Sequence, residues 1–201
     1  MTDSMAKFDA LLAQYTDADE AGRCEVKQRM WDTFGQRCAV FVSDLSGFSR
    51  LTERHSIVHF LAVIRECRRL LFPVIREGGG SPIKAAADNM YAMFPNAAAA
   101  IETSVTMQRK LQQYNAPRQP DDRIGLCVGI GYGEILVIED LDFFGHELNL
   151  AFKLGEDTAE TGEVLATQAA LEAAGPNGFR HETRNVTVSG VTIPHGSILY
   201  D

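Results

Sequence analysis

The sequence predicts an α+β domain of the ferredoxin-like kind, a βαββαβ sandwich in which a mixed sheet is covered by helices on one face. Apolar, strand-like runs alternate with helical patterns in the order strand, helix, strand, strand, helix, strand. The chain has 201 residues, of which 45% are hydrophobic and 23% charged, so it can bury one core. Helical patterns before this unit and further patterns after it predict an N-terminal helical arm and C-terminal extensions.

The N-terminal arm is predicted as a helix with one break. TDADEAG interrupts the helical pattern, and CEVKQRMWDTF resumes it. We therefore divide the chain into an arm, residues 1–35, and a domain, residues 36–201. Before the break, four apolar residues share one helix face: Phe8, Leu11, Leu12 and Tyr15.

The first half of the domain contains three predicted strands and two helices. CAVFVSD, residues 38–44, is an apolar run of β-formers and indicates a buried strand. The pattern from Ser49 to Arg76 is helical and is stopped by three glycines, residues 78–80. SPIKAAA and MYAMFP predict a hairpin joined at Asp88-Asn89, and the alanine-rich NAAAAIETSVTMQRKLQQY predicts the second helix.

The second half continues with a glycine-rich segment. Residues 123–140, RIGLCVGIGYGEILVIED, predict a strand, a bend and a second strand. Gly129, Gly131 and Gly133 alternate and so share one strand face, which suits close approach of a backbone or a partner. HELNLAFKLGEDTAETG then predicts a helix to about Glu160, TQAALEAAG a short helix, and residues 179–200 a hairpin.

Charge and apolar runs exclude several classes of protein. A net charge of −8 disfavours a general nucleic-acid surface, although a few local cations or a metal can still hold a small polyanion. No apolar stretch reaches the roughly 20 residues that span a bilayer. The N-terminus lacks the pattern of a signal peptide, so we expect a cytoplasmic protein. Its four cysteines form no C-x-x-C pair and are expected to be reduced and mostly buried: Cys24, Cys38, Cys67 and Cys127.

Two acids stand at predicted strand ends. Asp44 follows the first strand, and Asp88 lies in the turn after the second. Neighbouring core strands in a βαββαβ sandwich bring such ends together, and two adjacent carboxylates repel unless a cation lies between them. Oxygen ligands with room for water and phosphate suit two Mg²⁺ or Mn²⁺ ions. Alternatively, Asp44 caps the next helix and Asp88 fills a turn.

The segment after Asp44 is a candidate phosphate site. Four residues open a predicted helix, where free backbone amides can hold phosphate oxygens: Ser46, Gly47, Phe48 and Ser49. Two other signals are weaker. His55 and His59 have a metal-compatible spacing but no third ligand nearby, and GGGSPIK lacks the phosphate-loop pattern.

Three segments resemble the signature segments of the class III nucleotidyl cyclase catalytic domain, the adenylate/guanylate cyclase family. They are VFVSDLSGFSRLTE, IKAAADNMYAMF and DLDFFGHELNLAFKLGEDTAETGEVLAT, in the family's order and spacing. The resemblance covers about residues 36 to 200. It implies a homodimer that cyclises a nucleoside triphosphate at two composite interface sites, with Mg²⁺ or Mn²⁺, two ions per site.

The resemblance also implies roles for particular residues. Asp44 and Asp88 would be the metal carboxylates, with the backbone carbonyl of Leu45 as a further ligand. Lys84 stands where adenylate cyclases place the lysine that reads the purine, and Asp142 stands where they place the acidic partner of that lysine. An ammonium can donate to adenine N1 and a carboxylate can accept from the N6 amino group, so this pair favours ATP.

The sequence matches the family at one further position and departs from it at three. Asn149 matches the asparagine that orients the ribose, but Lys153 stands where the family usually has arginine. Ala87 replaces the glycine before Asp88, so we expect this turn not to need a positive φ. Ser189-Gly190 stands where members often carry a phosphate-binding lysine before a glycine.

Alternatives remain at the level of function. Relatives in bacterial defence cyclise pyrimidine nucleotides, so UTP and CTP stay open beside GTP. A catalytically weak nucleotide-binding module is a second possibility, because Lys153 lacks the bidentate fork of arginine. An unidentified regulator or a cyclic-nucleotide effector is a further expected partner; no nucleic acid and no membrane segment is expected.

Overall fold

The computed structural model describes residues 3–47, 56–138, 142–175 and 178–200. The helices are α1 (Asp3–Asp17), α2 (Glu20–Phe34), α3 (Ile57–Glu77), α4 (Ala97–Asn115), α5 (His146–Asp157) and α6 (Gln168–Ala174). The strands are β1 (Gly35–Leu45), β2 (Ser81–Ala86), β3 (Asn89–Phe94), β4 (Leu126–Ile138), β5 (Asp142–Phe144), β6 (Val164–Thr167), β7 (His181–Val188) and β8 (Val191–Ile198).

The predicted α+β class and its βαββαβ order are confirmed. β1, α3, β2, β3, α4 and β4 follow one another along the chain, and the described strands form one sheet in the order β2-β3-β1-β4-β6-β8-β7, with β5 paired to β4. β1 lies between β3 and β4 and is antiparallel to both. The strand that ends at Asp44 and Leu45 is therefore an inner strand of the sheet, paired on both sides.

The helices begin at side-chain caps that the sequence carries. Ser56, Asn96 and Thr167 accept hydrogen bonds from backbone amides three residues later, at the starts of α3, α4 and α6. α3 ends at the predicted glycines, and Gly78 follows its last residue. The predicted start of this helix at Ser49 lies outside the described residues.

Helices cover both faces of the sheet, so the expectation of helices on one face is wrong. Ala39 and Phe41 of β1 point to the face where α3 and α4 form the larger core. Val40 and Val42 point to the opposite face and pack with Ala151 of α5. The period of two along β1 places alternate side chains in two apolar layers, and the sequence pattern of a strand that is buried on both faces does not say which helix lies where.

Glycines on β4 bring α5 close to the sheet, as the alternating glycines predict. A Cβ atom on Gly129 would lie 2.0 Å from the carbonyl oxygen of Ala151, and one on Gly131 would lie 2.4 Å from that of Glu147. Glu147 also ties α5 to β4 and β6, because its carboxylate accepts hydrogen bonds from the Tyr132 amide (3.2 Å) and the Thr167 hydroxyl (2.7 Å).

β4 is one continuous strand of 13 residues, where the sequence predicted a bend between two strands. Glycines at alternate positions suggest a break, but here they serve packing against α5 and leave the strand pairing with β1 intact from Leu126 to Leu136. α5 also ends earlier than predicted, at Asp157, where the hydroxyl of Thr158 turns back to the Lys153 carbonyl (2.9 Å).

The N-terminal residues form the two predicted helices. Phe8 and Leu11 of α1 are buried with residues of α2 against Ile138 of β4, whereas Leu12 and Tyr15 are 41% and 40% exposed. Only half of the predicted apolar face of α1 is therefore buried against the rest of the described chain. No helix in the described part of the chain is long and apolar enough to cross a bilayer, and all four cysteines are free, three of them buried.

Substituting Gly129 with alanine tests the close approach of α5. The new methyl group would meet the backbone of Ala151, which cannot move without displacing the helix, so the free energy of unfolding should fall by about 3 kcal/mol. Gly133→Ala is the comparison, since its Cβ would meet the Glu147 side chain (2.8 Å to Cγ) and no helix backbone, so its loss should be smaller. Urea denaturation measures both, and equal losses for the two variants would contradict the packing described.

Candidate active site

Asp44 is held near the end of β1, an inner strand of the sheet. The residues before it, from Ala39 to Ser43, are completely buried, and Asp44 pairs across to Cys127 of β4. Asp44 is itself half-buried. Its carboxylate accepts a hydrogen bond from the Leu45 amide. The β1 ladder therefore presents this carboxylate at a fixed point on the sheet.

Asp88 lies in a two-residue turn between β2 and β3. Ala86 and Asn89 are the last paired residues of this hairpin, so the turn consists of Ala87 and Asp88 rather than the predicted Asp88-Asn89. Ala87 has a φ of +49°, so the expectation that this turn needs no positive φ is wrong. The tight hairpin imposes the left-handed conformation even though alanine disfavours it.

The carboxyl groups of Asp44 and Asp88 come together, as the strand ends predict. They are within hydrogen-bonding reach of each other. Burial, and next the charge of Asp88, raise the pKa of Asp44 from 3.8 to about 6. The hydrogen bond from the Leu45 amide opposes this rise and is too weak to cancel it. The pair is therefore arranged at an electrostatic cost when no cation is present.

Glu156 is a third acid beside this pair, and the sequence analysis missed it. Its carboxylate accepts hydrogen bonds from the Asn89 side-chain amide and from the Tyr91 hydroxyl (3.4 Å). Burial, and then the charge of Asp44, raise the pKa of Glu156 from 4.5 to about 7. Negative charge at this edge of the sheet is consequently denser than two aspartates alone would make it.

A sequence signal for Glu156 does exist. Asn149, Lys153 and Glu156 are spaced four and three residues apart, so they lie along one stripe of α5. The family resemblance supplied Asn149 and Lys153, and continuing their helical spacing by one more turn leads to Glu156. Asn149 is exposed and Lys153 half-buried. Within the described residues, neither side chain forms a hydrogen bond or ion pair with Asp44 or Asp88.

Lys84 and Asp142, the predicted base-reading pair, are also brought together. The Lys84 ammonium lies 3.6 Å from the Asp142 carboxylate, with both side chains partly exposed. Lys84 of β2 pairs with Tyr91 of β3. The Tyr91 hydroxyl in turn donates to Glu156, so one residue connects the base-reading pair with the acidic group. The pairing requires β5 to approach β2, and the ring of Phe143 packs against that of Tyr91 (6.1 Å between centroids).

The predicted phosphate segment is described only in part. Ser46 donates its amide to the Gly125 carbonyl (3.1 Å), and its hydroxyl accepts a hydrogen bond from Thr161 (2.7 Å). Gly47 has a φ of +88°, which only glycine adopts easily. Phe48 and Ser49 lie outside the described residues, as does His55 of the weak histidine signal.

The chain is similar to proteins of one family. The family model for the adenylate and guanylate cyclase catalytic domain matches residues 32–197. A protein of Rhizobium meliloti (strain 1021) that is named as an adenylate cyclase is 30% identical over 134 residues, which are 67% of this chain. The present chain spans only 22% of the length of that curated relative.

Solved structures resemble the chain over most of its length. The crystal structure of an adenylate/guanylate cyclase/hydrolase from Silicibacter pomeroyi has a TM-score of 0.73 at 26% identity, covering 83% of this chain and 98% of that one. The adenylyl cyclase CyaB from P. aeruginosa has a TM-score of 0.69 at 21% identity, covering 83% and 96%. This second likeness is one of fold.

The raised pKa values of Asp44 and Glu156 predict how stability depends on pH. Both acids hold protons more tightly in the folded protein than in the unfolded chain. Metal-free protein should therefore lose stability as pH rises from about 4 to 7, by on the order of 1 kcal/mol per group after solvent screening. Asp44→Asn and Glu156→Gln should each flatten this slope in chemical denaturation with EDTA present.

Asp9→Asn, on the exposed side of α1, is the control for this pH dependence and should leave the slope as in the wild type. A slope unchanged in Asp44→Asn and Glu156→Gln would contradict the electrostatic description of this site.

Proposed function

The chain belongs to the adenylate and guanylate cyclase catalytic-domain family, and we propose that it is a nucleotide cyclase whose first substrate is ATP. The products would be the 3′,5′-cyclic monophosphate and pyrophosphate. The observation that carries this proposal is the convergence of Asp44 and Asp88 at the end of β1, where burial, and next the charge of Asp88, raise the pKa of Asp44. Such a pair favours binding of a cation.

The donor atoms fit Mg²⁺ or Mn²⁺. Asp44, Asp88 and the backbone carbonyl of Leu45 offer oxygen ligands only, and these ions keep positions for water and substrate phosphate. In the described ranges no group of three or more His, Cys, Asp or Glu side chains is placed to hold a metal. These protein oxygens would hold an ion weakly by themselves, and the nucleotide's phosphates would complete its coordination and tighten binding. Two bound ions would lower the pKa of the ribose 3′-hydroxyl and offset phosphate charge.

The proposed reaction is an in-line displacement within one nucleotide. The ribose 3′-oxygen forms a bond to the α-phosphorus, the bond from that phosphorus to pyrophosphate breaks, and the hydroxyl proton passes to solvent. Asn149 orients the ribose, which contributes proximity. Lys153 offsets the charge that develops on the α-phosphate, as a point charge without the fork of arginine.

The choice of base rests on Lys84 and Asp142. Their 3.6 Å contact supports a shared role, and an ammonium beside a carboxylate matches the acceptor N1 and the donor N6 of adenine. Family membership does not select the base, because the family covers both adenylate and guanylate cyclases. GTP, UTP and CTP are therefore the alternative substrates.

We also propose that the active unit is a homodimer. Asn149 and Lys153 form no hydrogen bond or ion pair with Asp44 or Asp88 inside the described part of the chain. Both side chains lie on a stripe of α5 that is not fully buried. This supports the proposal that they act on a nucleotide held by the carboxylates of a second copy. Each of the two sites would then combine metal carboxylates from one subunit with Asn149 and Lys153 from the other. The base-reading pair, Lys84 and Asp142, would come from that other subunit too.

A catalytically weak nucleotide-binding module is the second candidate. Lys153 and the turn Ser189-Gly190 favour it, because lysine lacks the bidentate fork of the usual arginine and the turn lacks the usual lysine. Ser189 has a φ of +50° in this turn and supplies no cation. Loss of one stabilising donor can lower the rate on the order of 10²-fold.

The test of activity compares four substrates. Purified protein with Mn²⁺ and ATP, GTP, UTP or CTP should yield a cyclic product, fastest from ATP, as measured by chromatography. Asp44→Asn should lower the rate by at least about 10²-fold, because it removes a metal carboxylate. Glu134→Gln, which breaks an exposed ion pair with Arg37, should have no effect. Nucleotide binding without any cyclic product would favour the weak module instead.

Mixing two inactive variants tests the composite site. Asp44→Ala lacks the carboxylate of one half, and Asn149→Ala lacks the ribose contact of the other. A mixed dimer retains one intact site, so random exchange of subunits should restore activity to about a quarter of the wild type, since half the dimers are mixed and each has one of two sites. A mixture that stays as inactive as its parents, after proven exchange, would refute the shared site.

A further inference from the structure

The turn that carries Asp88 has an unfavourable residue at its first central position. Ala87 has a positive φ, and Asp88 after it does not. In two-residue hairpins this pattern strongly prefers glycine, because an L side chain meets the following carbonyl. A hairpin with alanine there would more easily adopt another turn, in which Asp88 pointed elsewhere.

Arg68 holds this turn from α3. Its guanidinium donates a hydrogen bond to the carbonyl oxygen of Ala87, 19 residues away in sequence. That oxygen belongs to the peptide unit between Ala87 and Asp88, so the bond fixes the orientation of the backbone from which the Asp88 side chain projects. The donor and the acceptor lie on different elements, which makes this a tertiary restraint on the turn.

The part of α3 that carries Arg68 is anchored in the core. Cys67 before it is 1% exposed, and Leu71 one turn later is completely buried in the core beneath the sheet. The Arg68 Nε atom is also buried and, among the described residues, has no hydrogen-bond partner. A buried N–H without a partner is costly, which indicates that the side chain is kept in this position by its bond to Ala87.

We infer that Arg68 is a positioning residue for the metal site: it holds Ala87 in the left-handed conformation and thereby keeps the Asp88 carboxylate beside that of Asp44. The inference rests on the proposed function, since it assigns the restraint to a cation site. In the absence of a cation the two carboxylates repel, so a freely moving turn would carry Asp88 away from Asp44. Arg68 opposes that movement without touching the nucleotide or the reacting atoms.

The simpler explanation is that Arg68 only ties α3 to the hairpin. In that case its removal lowers stability, whatever residue occupies position 87, and leaves cation affinity alone. The positioning role instead predicts that the two positions are coupled. Glycine adopts positive φ as readily as negative φ, so a turn with glycine has less need of the arginine.

The experiment is a double-mutant cycle of Arg68→Met and Ala87→Gly, read out by calorimetric binding of Mn²⁺ alone. Arg68→Met should weaken Mn²⁺ binding by about fivefold to tenfold, because alanine then leaves the left-handed conformation. In the Ala87→Gly protein the same change should cost about twofold or less. Arg69→Met is the control: the neighbouring arginine pairs with Glu66 on the surface, and its loss should not alter binding.

Two results would overturn the inference: unchanged Mn²⁺ affinity in Arg68→Met, or an equal loss with alanine and with glycine at position 87. If Arg68→Met does not fold, Arg68→Lys enters the same cycle, with a smaller loss that glycine should again reduce. Mn²⁺ binding is measured without nucleotide, so its outcome is separate from turnover. Coupled binding in a protein that forms no cyclic product would support the role of Arg68 and refute the proposed function.

Discussion

The repulsion between Asp44 and Asp88 is the interaction on which the rest of the site depends. One carboxylate is fixed by the inner strand β1 and the other by the tight turn between β2 and β3. Burial, together with the charge of Asp88, raises the pKa of Asp44 to about 6. A protein gains no stability from such an arrangement unless a cation binds it. Features that lie far apart in sequence, such as the positive φ of Ala87, help to hold this unfavourable pair in place.

The second requirement is that α5 lies close against the sheet. Gly129 and Gly131 remove the side chains that would hold the helix away, and the Glu147 carboxylate fixes it to Tyr132 and Thr167. This packing sets the position of the whole stripe of α5, from Asn149 through Lys153 to Glu156. The same helix thus adds a third acid to the carboxylate group and presents an amide and an ammonium on its less buried part.

Much of this arrangement could be predicted from the sequence. Apolar β-formers before Asp44, the hairpin before Phe94 and the glycine period in β4 are local signals, and each led to the correct element or contact. Three features depended on tertiary packing and escaped prediction. The hairpin forces Ala87 into a conformation that its residue type disfavours, and α5 selects the sheet face opposite to α3. Glu156 joins the acids only because α5 packs over β1 and β4, where its last turn reaches the side chains of Asn89 and Tyr91 on β3.

The most direct test of this account is the anomalous diffraction of Mn²⁺ in crystals grown with a non-hydrolysable ATP analogue. The account predicts anomalous peaks between the carboxylates of Asp44 and Asp88, with the adenine beside the Lys84 and Asp142 of a second copy. Peaks elsewhere, or two aspartates that point apart with no ion between them, would contradict it.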